Sequence, residues 1–229
     1  MIFLLQKTLI YAIPLLIVAL AGMFAERSGI INIALDGIMV FGSFIGAVYV
    51  YLLQKNDLLT GHPQIVFITA MLVAAAAGAI FSLLLSFSAI NLKADQTIGG
   101  TALNLLAPAL ALFFVKVFFM QDKLVMPKDI GFVILNNDVK GVGKVFFDKA
   151  YVSPFIAAGL FILLSLFMYK TKYGLRLRAC GEHPQAADSV GINVYKMRYL
   201  GTTISGALAG MGGYIYIATV AGGTCDGSV

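Results

Sequence analysis

Long apolar runs separated by short polar segments make up most of this 229-residue chain. Five uncharged runs cover residues 8–25, 64–90, 98–115, 150–169 and 199–225, and a sixth, residues 28–54, is interrupted only by Asp36. A helix needs about 20 apolar residues to cross the hydrocarbon core of a bilayer, and each run is close to or above that length. None shows the alternating pattern of a barrel strand. The pattern predicts an all-α, polytopic helical membrane protein with six to seven spans.

Composition supports this class. Hydrophobic residues make up 60% of the chain and charged residues only 12%, with a mean hydropathy of +0.92. A soluble globular domain has about 25% charged residues. The two cysteines, Cys180 and Cys225, lie far apart with no CxxC spacing, so we interpret both as free thiols.

The distribution of basic residues predicts the orientation. Six of the 16 Lys and Arg residues lie between positions 170 and 198, opposed there only by Glu182 and Asp188. The positive-inside rule therefore places the loop at residues 171–197 in the cytoplasm. Residues 120–149 carry five lysines and four aspartates. One span separates this nearly balanced segment from the basic loop, so we expect it to be extracytoplasmic. The net charge of +5 then needs no nucleic acid to explain it.

The segment AERSGIINIALDG, residues 25–37, places charged and polar residues between two apolar runs. Two interpretations fit. In the first, the segment is a broken or re-entrant helix that supplies an extra crossing and lines an internal path, because irregular backbone at membrane depth must be surrounded by protein or water. In the second, it is a polar turn at the interface, with Glu26 and Arg27 among the lipid headgroups. Six simple spans would leave the N-terminus outside, and an extra crossing would bring it inside.

Small residues at four-residue spacing predict close helix packing. Gly42 and Gly46 form one GxxxG pattern, and Gly206 and Gly210 form another. Such positions let helix backbones approach closely, and we interpret them as intramolecular contacts. Asn104, within another span, is a candidate either for a hydrogen bond to a neighbouring helix or for a path-lining role.

The basic loop contains a candidate short helix from Pro184 to Val190, with Gly191 as its C-terminal stop. So short a helix is not stable alone in water and must pack against something. We predict mild exposed chemistry, with Ala186, Ala187 and Val190 among small polar residues. The helix is either a knob for a groove in a protein partner or a capped connector on the membrane surface.

Enzyme signatures are absent from the sequence. No P-loop, HExxH, GxSxG or Cys/His cluster occurs, and His62 and His183 lie in loops predicted on opposite sides. We expect no catalytic residues, no metal site and no cofactor.

Several segments together resemble a known family. ERSGIINIALDGIMVFGSF, QTIGGTALNLLA (residues 96–107), GLRLRACGEHPQAADSVGINV and SGALAGMGG occur in the order typical of permease subunits of bacterial ABC importers. The resemblance is to the nucleoside and simple-sugar branch of the branched-chain amino acid permease-like family. It is greatest to the second permease of a general nucleoside uptake system, and it covers nearly the whole chain.

This resemblance implies a transmembrane permease domain over residues 1–229, incomplete at the C-terminus because family members usually run longer. It implies a multi-pass subunit of the bacterial inner membrane. Its expected partners are a second permease subunit, a cytoplasmic ABC ATPase that supplies ATP hydrolysis, a substrate-binding lipoprotein and the lipid bilayer. Together the permeases would move nucleosides by alternating access. Simple sugars and branched-chain amino acids are alternative substrates, and an ion-coupled secondary transporter or a non-transporting membrane scaffold are alternatives of other classes.

The resemblance also implies residue roles. The expected ATPase-coupling residues are Gly181, Glu182, His183, Pro184, Gln185, Ala186, Ala187, Asp188, Ser189, Val190 and Gly191. The expected translocation-path residues are Glu26, Arg27, Ser28, Asn32, Thr101 and Asn104.

Overall fold

The computed structural model describes residues 2–56, 62–120, 124–126, 152–221 and 224–225. In chain order the helices are α1 (Ile2–Arg27), α2 (Leu35–Lys55), α3 (Pro63–Ser86), α4 (Gln96–Phe114), α5 (Ser153–Lys170), α6 (Lys172–Glu182), α7 (Pro184–Ser189) and α8 (Val194–Thr219). π-Helical turns extend α3 over Phe87–Asn91 and α4 over Val115–Phe119. The described part is predominantly helical, which confirms the predicted all-α class.

Five helices in the described part are long and apolar enough to cross a bilayer. They cover Lys7–Arg27, Leu35–Lys55, Pro63–Asn91, Gln96–Phe119 and Ser153–Lys170. The remaining predicted run, residues 199–225, corresponds to α8, which has 26 residues and is less apolar because Gly, Ser and Thr are frequent in it. Small residues suit a helix that packs against protein better than one that faces lipid.

Helix α8 occupies the centre of the bundle, in contact with α1, α2 and α3. The predicted GxxxG positions lie at these contacts: a Cβ added at Gly42 would come within 2.5 Å of the Cα of Gly210, and one added at Gly46 within 2.5 Å of the Tyr214 ring. Gly206 lies directly against α3 at Ser82. The interpretation of these glycines as intramolecular packing positions is therefore confirmed.

The connection between α1 and α2 shows at which end of the bundle the chain turns back after α1. Ser28, directly after α1, packs against Gly201 near the start of α8, and Asn32, just before α2, hydrogen-bonds to Ser205. The chain therefore reverses direction at this end, which also carries residues 171–197 and which we call the basic face. No additional crossing occurs between α1 and α2, so the extra crossing of the first interpretation is wrong and α1 begins at the opposite face. The break in the helix is present, and its lining of an internal path remains a prediction.

The predicted extracytoplasmic segment, residues 120–149, lies mostly outside the described residues. Its described part includes the short strand β1 (Leu124–Val125), which pairs antiparallel with a second short strand, β2 (Thr224–Cys225). Leu124 is opposite Cys225, and Val125 is opposite Thr224. This pairing joins the chain after α4 to the chain after α8.

Candidate functional site

The connection over residues 28–34, which we call the linker, is a non-helical segment of two turns joined by irregular backbone, largely buried by neighbouring helices. Gly29 has a φ of +83°, a conformation that glycine adopts without strain, and this turn ends α1. Burial then alternates along the linker: the side chains of Ser28, Ile30, Asn32 and Ala34 are buried, whereas Ile31 is exposed. Every second side chain of the linker is therefore buried inside the bundle.

Side chains of α4 form hydrogen bonds with backbone groups of the linker and of the start of α2. The Asn104 amide nitrogen donates to the carbonyl of Ile33 at 2.9 Å, and its oxygen accepts from the N–H of Gly37 at 2.8 Å. The side-chain oxygen of Gln96 accepts from the N–H of Ile31 at 2.8 Å. Backbone groups inside a membrane protein need such partners when they leave a helix. The predicted hydrogen-bonding role of Asn104 is thus confirmed, although its bonds are to backbone.

The inner side of the linker faces α8. Asn32, only 5% exposed, donates from its amide nitrogen to the hydroxyl of Ser205 at 2.9 Å. Its amide oxygen is buried with no hydrogen-bond partner in the described part. Ser28 is fully buried, and its hydroxyl donates to the Ala25 carbonyl at 2.6 Å. Buried amide oxygens are normally paired, so Asn32 offers a free acceptor inside the bundle.

The six expected path residues therefore fall into different environments. Ser28 and Asn32 face inward, and Asn104 is half-buried against the linker. The other three, Glu26, Arg27 and Thr101, are exposed. Within the described residues no ion pair links the two charged side chains, and the Thr101 hydroxyl bonds only to carbonyls of its own helix. The lining role of the set remains a prediction.

Residues 181–191, the coupling segment, contain the predicted short helix. Helix α7 has Pro184 in its first turn and ends before Gly191, whose φ is +81°. The N–H of Gly191 donates to the Asp188 carbonyl at 2.9 Å, and the N–H of Ile192 donates to the Ala187 carbonyl at 3.0 Å. These bonds close the helix C-terminus as a glycine stop does, so the predicted helix and its stop are confirmed.

One side chain of the coupling segment was placed wrongly from the sequence. Ala187, predicted to be exposed, is only 4% exposed. It lies on the face of α7 that packs against its own chain, because a helix this short needs a buried anchor. The outward positions include Asp188 and Val190, the latter 74% exposed. Ala187 therefore anchors the knob, and its neighbours form the surface.

Three glycines join the coupling segment, the linker and α8. A Cβ added at Gly181 would lie 2.5 Å from the Arg27 carbonyl oxygen, and one added at Gly29 would lie 3.2 Å from the Gly181 Cα. Gly201 of α8 lies against Ser28 with no room for a side chain. We call this contact the glycine junction. Each of its glycines stands within or beside a recognised motif, but no local pattern indicates that they meet.

Comparison with known proteins gives extensive matches. The guanosine ABC transporter permease protein NupQ of Bacillus subtilis (strain 168) is 42% identical over 217 residues, covering 93% of this chain and 66% of NupQ. The nucleoside ABC transporter permease protein NupC of Lactococcus lactis subsp. cremoris (strain MG1363) is 40% identical over 216 residues, covering 93% of this chain and 67% of NupC. The chain thus spans about two thirds of the length of these relatives.

A more distant relative comes from the same Lactococcus strain. Its nucleoside ABC transporter permease protein NupB is 22% identical over 222 residues, covering 89% of this chain and 56% of NupB. No solved structure matches the chain significantly. The family profile described as "Branched-chain amino acid transport system / permease component" matches residues 4–228. With its several apolar helices, this chain is a multi-pass membrane protein that belongs to the branched-chain amino acid transport system permease component family.

Proposed function

We propose that this protein is a permease subunit of an ATP-driven importer in the bacterial inner membrane and that its substrate is a nucleoside. The observation that carries the proposal is identity of 42% and 40%, over 93% of the chain, to two relatives whose names specify guanosine and nucleoside ABC permeases. The shared region includes the linker and the coupling segment. Neutral amide and hydroxyl groups on the linker, such as those of Asn32 and Ser28, suit an uncharged polar substrate.

The coupling segment is proposed to dock into a cytoplasmic ABC ATPase, because the chain itself lacks a P-loop. Its outward residues form a small, weakly charged surface, with Gln185, Ala186, Asp188 and Val190 exposed. Ala187 holds this surface onto the protein from below. A six-residue helix fixed in this way can transmit a push, whereas a free peptide of that length would unfold.

The glycine junction provides the next step of the proposed mechanism. Because Gly181 touches the backbone of Arg27 and Gly29 with no side chain between them, displacement of α6 by the ATPase displaces the linker directly. Rigid-body movement of helices around a substrate path is one form of alternating access. ATP favours one gate state only to the extent that the ATPase binds the coupling segment better in that state.

A second permease subunit, different from this one, is part of the proposal. One Lactococcus strain has both NupC and NupB, which resemble this chain at 40% and 22% identity. Helices α4 and α5 also expose large apolar side chains on their outer faces, including Leu105 (76% exposed) and Leu163 (61% exposed). Lipid and a homologous subunit can share such faces. A substrate-binding lipoprotein would deliver the substrate from outside.

Uptake and association experiments test the proposal. Cells that produce the full protein together with its ATPase, the second permease and the lipoprotein should accumulate labelled guanosine, and unlabelled nucleosides should compete, whereas ribose and leucine should not. Asp188→Trp should abolish co-purification of the ATPase and reduce uptake at least tenfold without lowering the melting temperature. Lys172→Trp, also exposed on the basic face, is the matched control and should leave both unchanged. Competition by ribose or leucine alone would overturn the substrate assignment, and normal uptake by Asp188→Trp would overturn the coupling role.

A further inference from the structure

A groove of about 330 Å³ opens on the basic face between α7, the end of α3 and the first turns of α8. Lys93 and Ile90 line one side, Pro184 and Asp188 of the coupling segment line another, and Tyr195 and Arg198 belong to α8. The walls are held together, because the Tyr199 hydroxyl donates to the Asn91 side-chain oxygen at 2.8 Å. Arg198 connects this groove to the glycine junction, since a Cβ built on Gly29 of the linker would lie 3.5 Å from its Nη2 atom.

The groove is lined by two basic residues, Lys93 and Arg198, and one acidic residue, Asp188. Neither Lys93 nor Arg198 forms an ion pair with any residue in the described part. Arg198 is half-buried, and its Nε atom is removed from solvent without a hydrogen-bond acceptor. A partly buried guanidinium nitrogen normally finds an acceptor, and phosphate oxygens match the planar fork of arginine well. The groove is therefore complementary to a phosphate-bearing ligand.

The position of the groove relative to the apolar spans indicates that its ligand is a lipid. The apolar span of α3 ends at Asn91, two residues before Lys93, and the apolar run of α8 begins directly after Arg198. Both cations thus lie where the headgroups of the leaflet on the basic face would be. Phe87 and Leu92, on the same turn as Ile90, are 52% and 64% exposed, and both can face acyl chains. Basic pockets between membrane helices on the cytoplasmic side commonly bind anionic headgroups.

We propose that this groove binds the phosphodiester headgroup of an anionic phospholipid, held by Lys93 and Arg198 beside the coupling segment. The ligand class follows from the pairing of unpartnered cations with an adjoining apolar surface. The proposal does not depend on which substrate is transported, so it stands or fails separately from the nucleoside assignment. Since Pro184 and Asp188 form one wall, the bound headgroup would brace α7 in its docked position.

The test uses the purified full protein in detergent with phosphatidylglycerol or phosphatidylcholine of identical acyl chains. Native mass spectrometry should show preferential retention of phosphatidylglycerol. Lys93→Asn should weaken this retention about fivefold, the effect expected for one interfacial cation. Asparagine suits the site because Lys93 has a φ of 52°, which asparagine tolerates. Asp188→Asn, which removes the opposing charge, should strengthen retention.

Lys196→Gln is the matched control, since Lys196 is exposed on the same helix as Arg198 and lies outside the groove. It should retain phosphatidylglycerol as the wild type does. Equal retention of the two lipids by the wild type, or equal losses for Lys93→Asn and Lys196→Gln, would overturn the proposal. Stabilisation by inorganic phosphate alone, matching that by phosphatidylglycerol, would show a free-phosphate site instead. Loss of ATPase association in Lys93→Asn without any lipid preference would assign the groove to a partner carboxylate.

Discussion

Replacement of Asn104 by alanine is the most direct way to test how the linker is held. The Asn104 amide makes two hydrogen bonds to linker and α2 backbone, at 2.9 Å to the Ile33 carbonyl and at 2.8 Å from the Gly37 N–H. Alanine cannot replace either bond. Both backbone groups lie where the chain has left one helix and not yet completed the next, so no intrahelical partner takes over.

The size of the effect follows from these two bonds. A buried polar group left unpaired in a soluble protein costs about 1–3 kcal/mol, so two would cost about 2–6 kcal/mol. Side-chain hydrogen bonds measured in a membrane protein average only about 0.6 kcal/mol, which gives about 1.2 kcal/mol for two. Asn104 is half-buried, so water can reach part of the site. We therefore expect a loss of about 1–3 kcal/mol, which for a protein of this size is a fall in melting temperature of roughly 2–12 °C.

Thermal unfolding in detergent measures this change, with Thr101→Ala as the matched control. Thr101 lies one turn earlier on α4, and its hydroxyl bonds only to the carbonyls of Thr97 and Ile98 in the same helix. Its removal should change the free energy of unfolding by less than about 0.5 kcal/mol. Equal melting temperatures for the two variants would refute the view that Asn104 holds the linker. Unchanged stability combined with lost uptake would instead make Asn104 a path-lining residue.

Three further predictions concern the basic face. Gly181→Ala should lower stability by about 1–3 kcal/mol and impair uptake, since the new methyl group meets the backbone of α1 and the linker. Gly159→Ala, with nothing within 4 Å of the new methyl group, is the control; it should leave uptake unchanged and raise stability by up to about 1 kcal/mol, because alanine favours a helix over glycine. Burial raises the pKa of the Cys180 thiol, so its alkylation by maleimide should be slow at neutral pH and accelerate above pH 9, whereas fast labelling at pH 7 would contradict its burial. Hydrogen bonds from Thr97 lower the pKa of Asp95, the N-cap of α4. The stabilisation by the Asp95 carboxylate is present above its ordinary pKa of 3.8 and is lost as pH falls through the lower pKa of the folded protein. The difference in melting temperature between wild type and Asp95→Ala should therefore vanish at low pH, and a difference that stays constant with pH would contradict this.

Local patterns in the sequence were sufficient to predict several elements. Apolar length alone indicates the spans, because the bilayer imposes it. The short helix at Pro184 and its stop at Gly191 follow from residue preferences that act within one turn. The glycine pairs were correctly assigned to packing, since the four-residue spacing places them on one helix face. Each of these signals lies within one continuous stretch of the chain, from a single helical turn to the roughly 20 residues of a span.

The features that depend on long-range contacts could not be predicted in this way. Asn104 lies 71 residues from Ile33, and Asn32 lies 173 residues from Ser205. Nothing in either neighbourhood specifies the partner. Ala187 was misplaced for the same reason: which face of a short helix is buried depends on the surface beneath it, not on its own small residues.

The linker's position explains why a break in the helix is useful at this point of the chain. A continuous helix satisfies its own backbone, so its shape is largely independent of its neighbours. The linker instead takes backbone partners from α4, a side-chain partner from Ser205 of α8 and a direct backbone contact from Gly181. Its conformation therefore depends on the relative positions of three other elements. In the proposed mechanism, a segment with that dependence responds to displacement of the coupling segment, and its inward Asn32 moves with it. The same break that places polar groups inside the bundle also connects them, through the glycine junction, to the basic face.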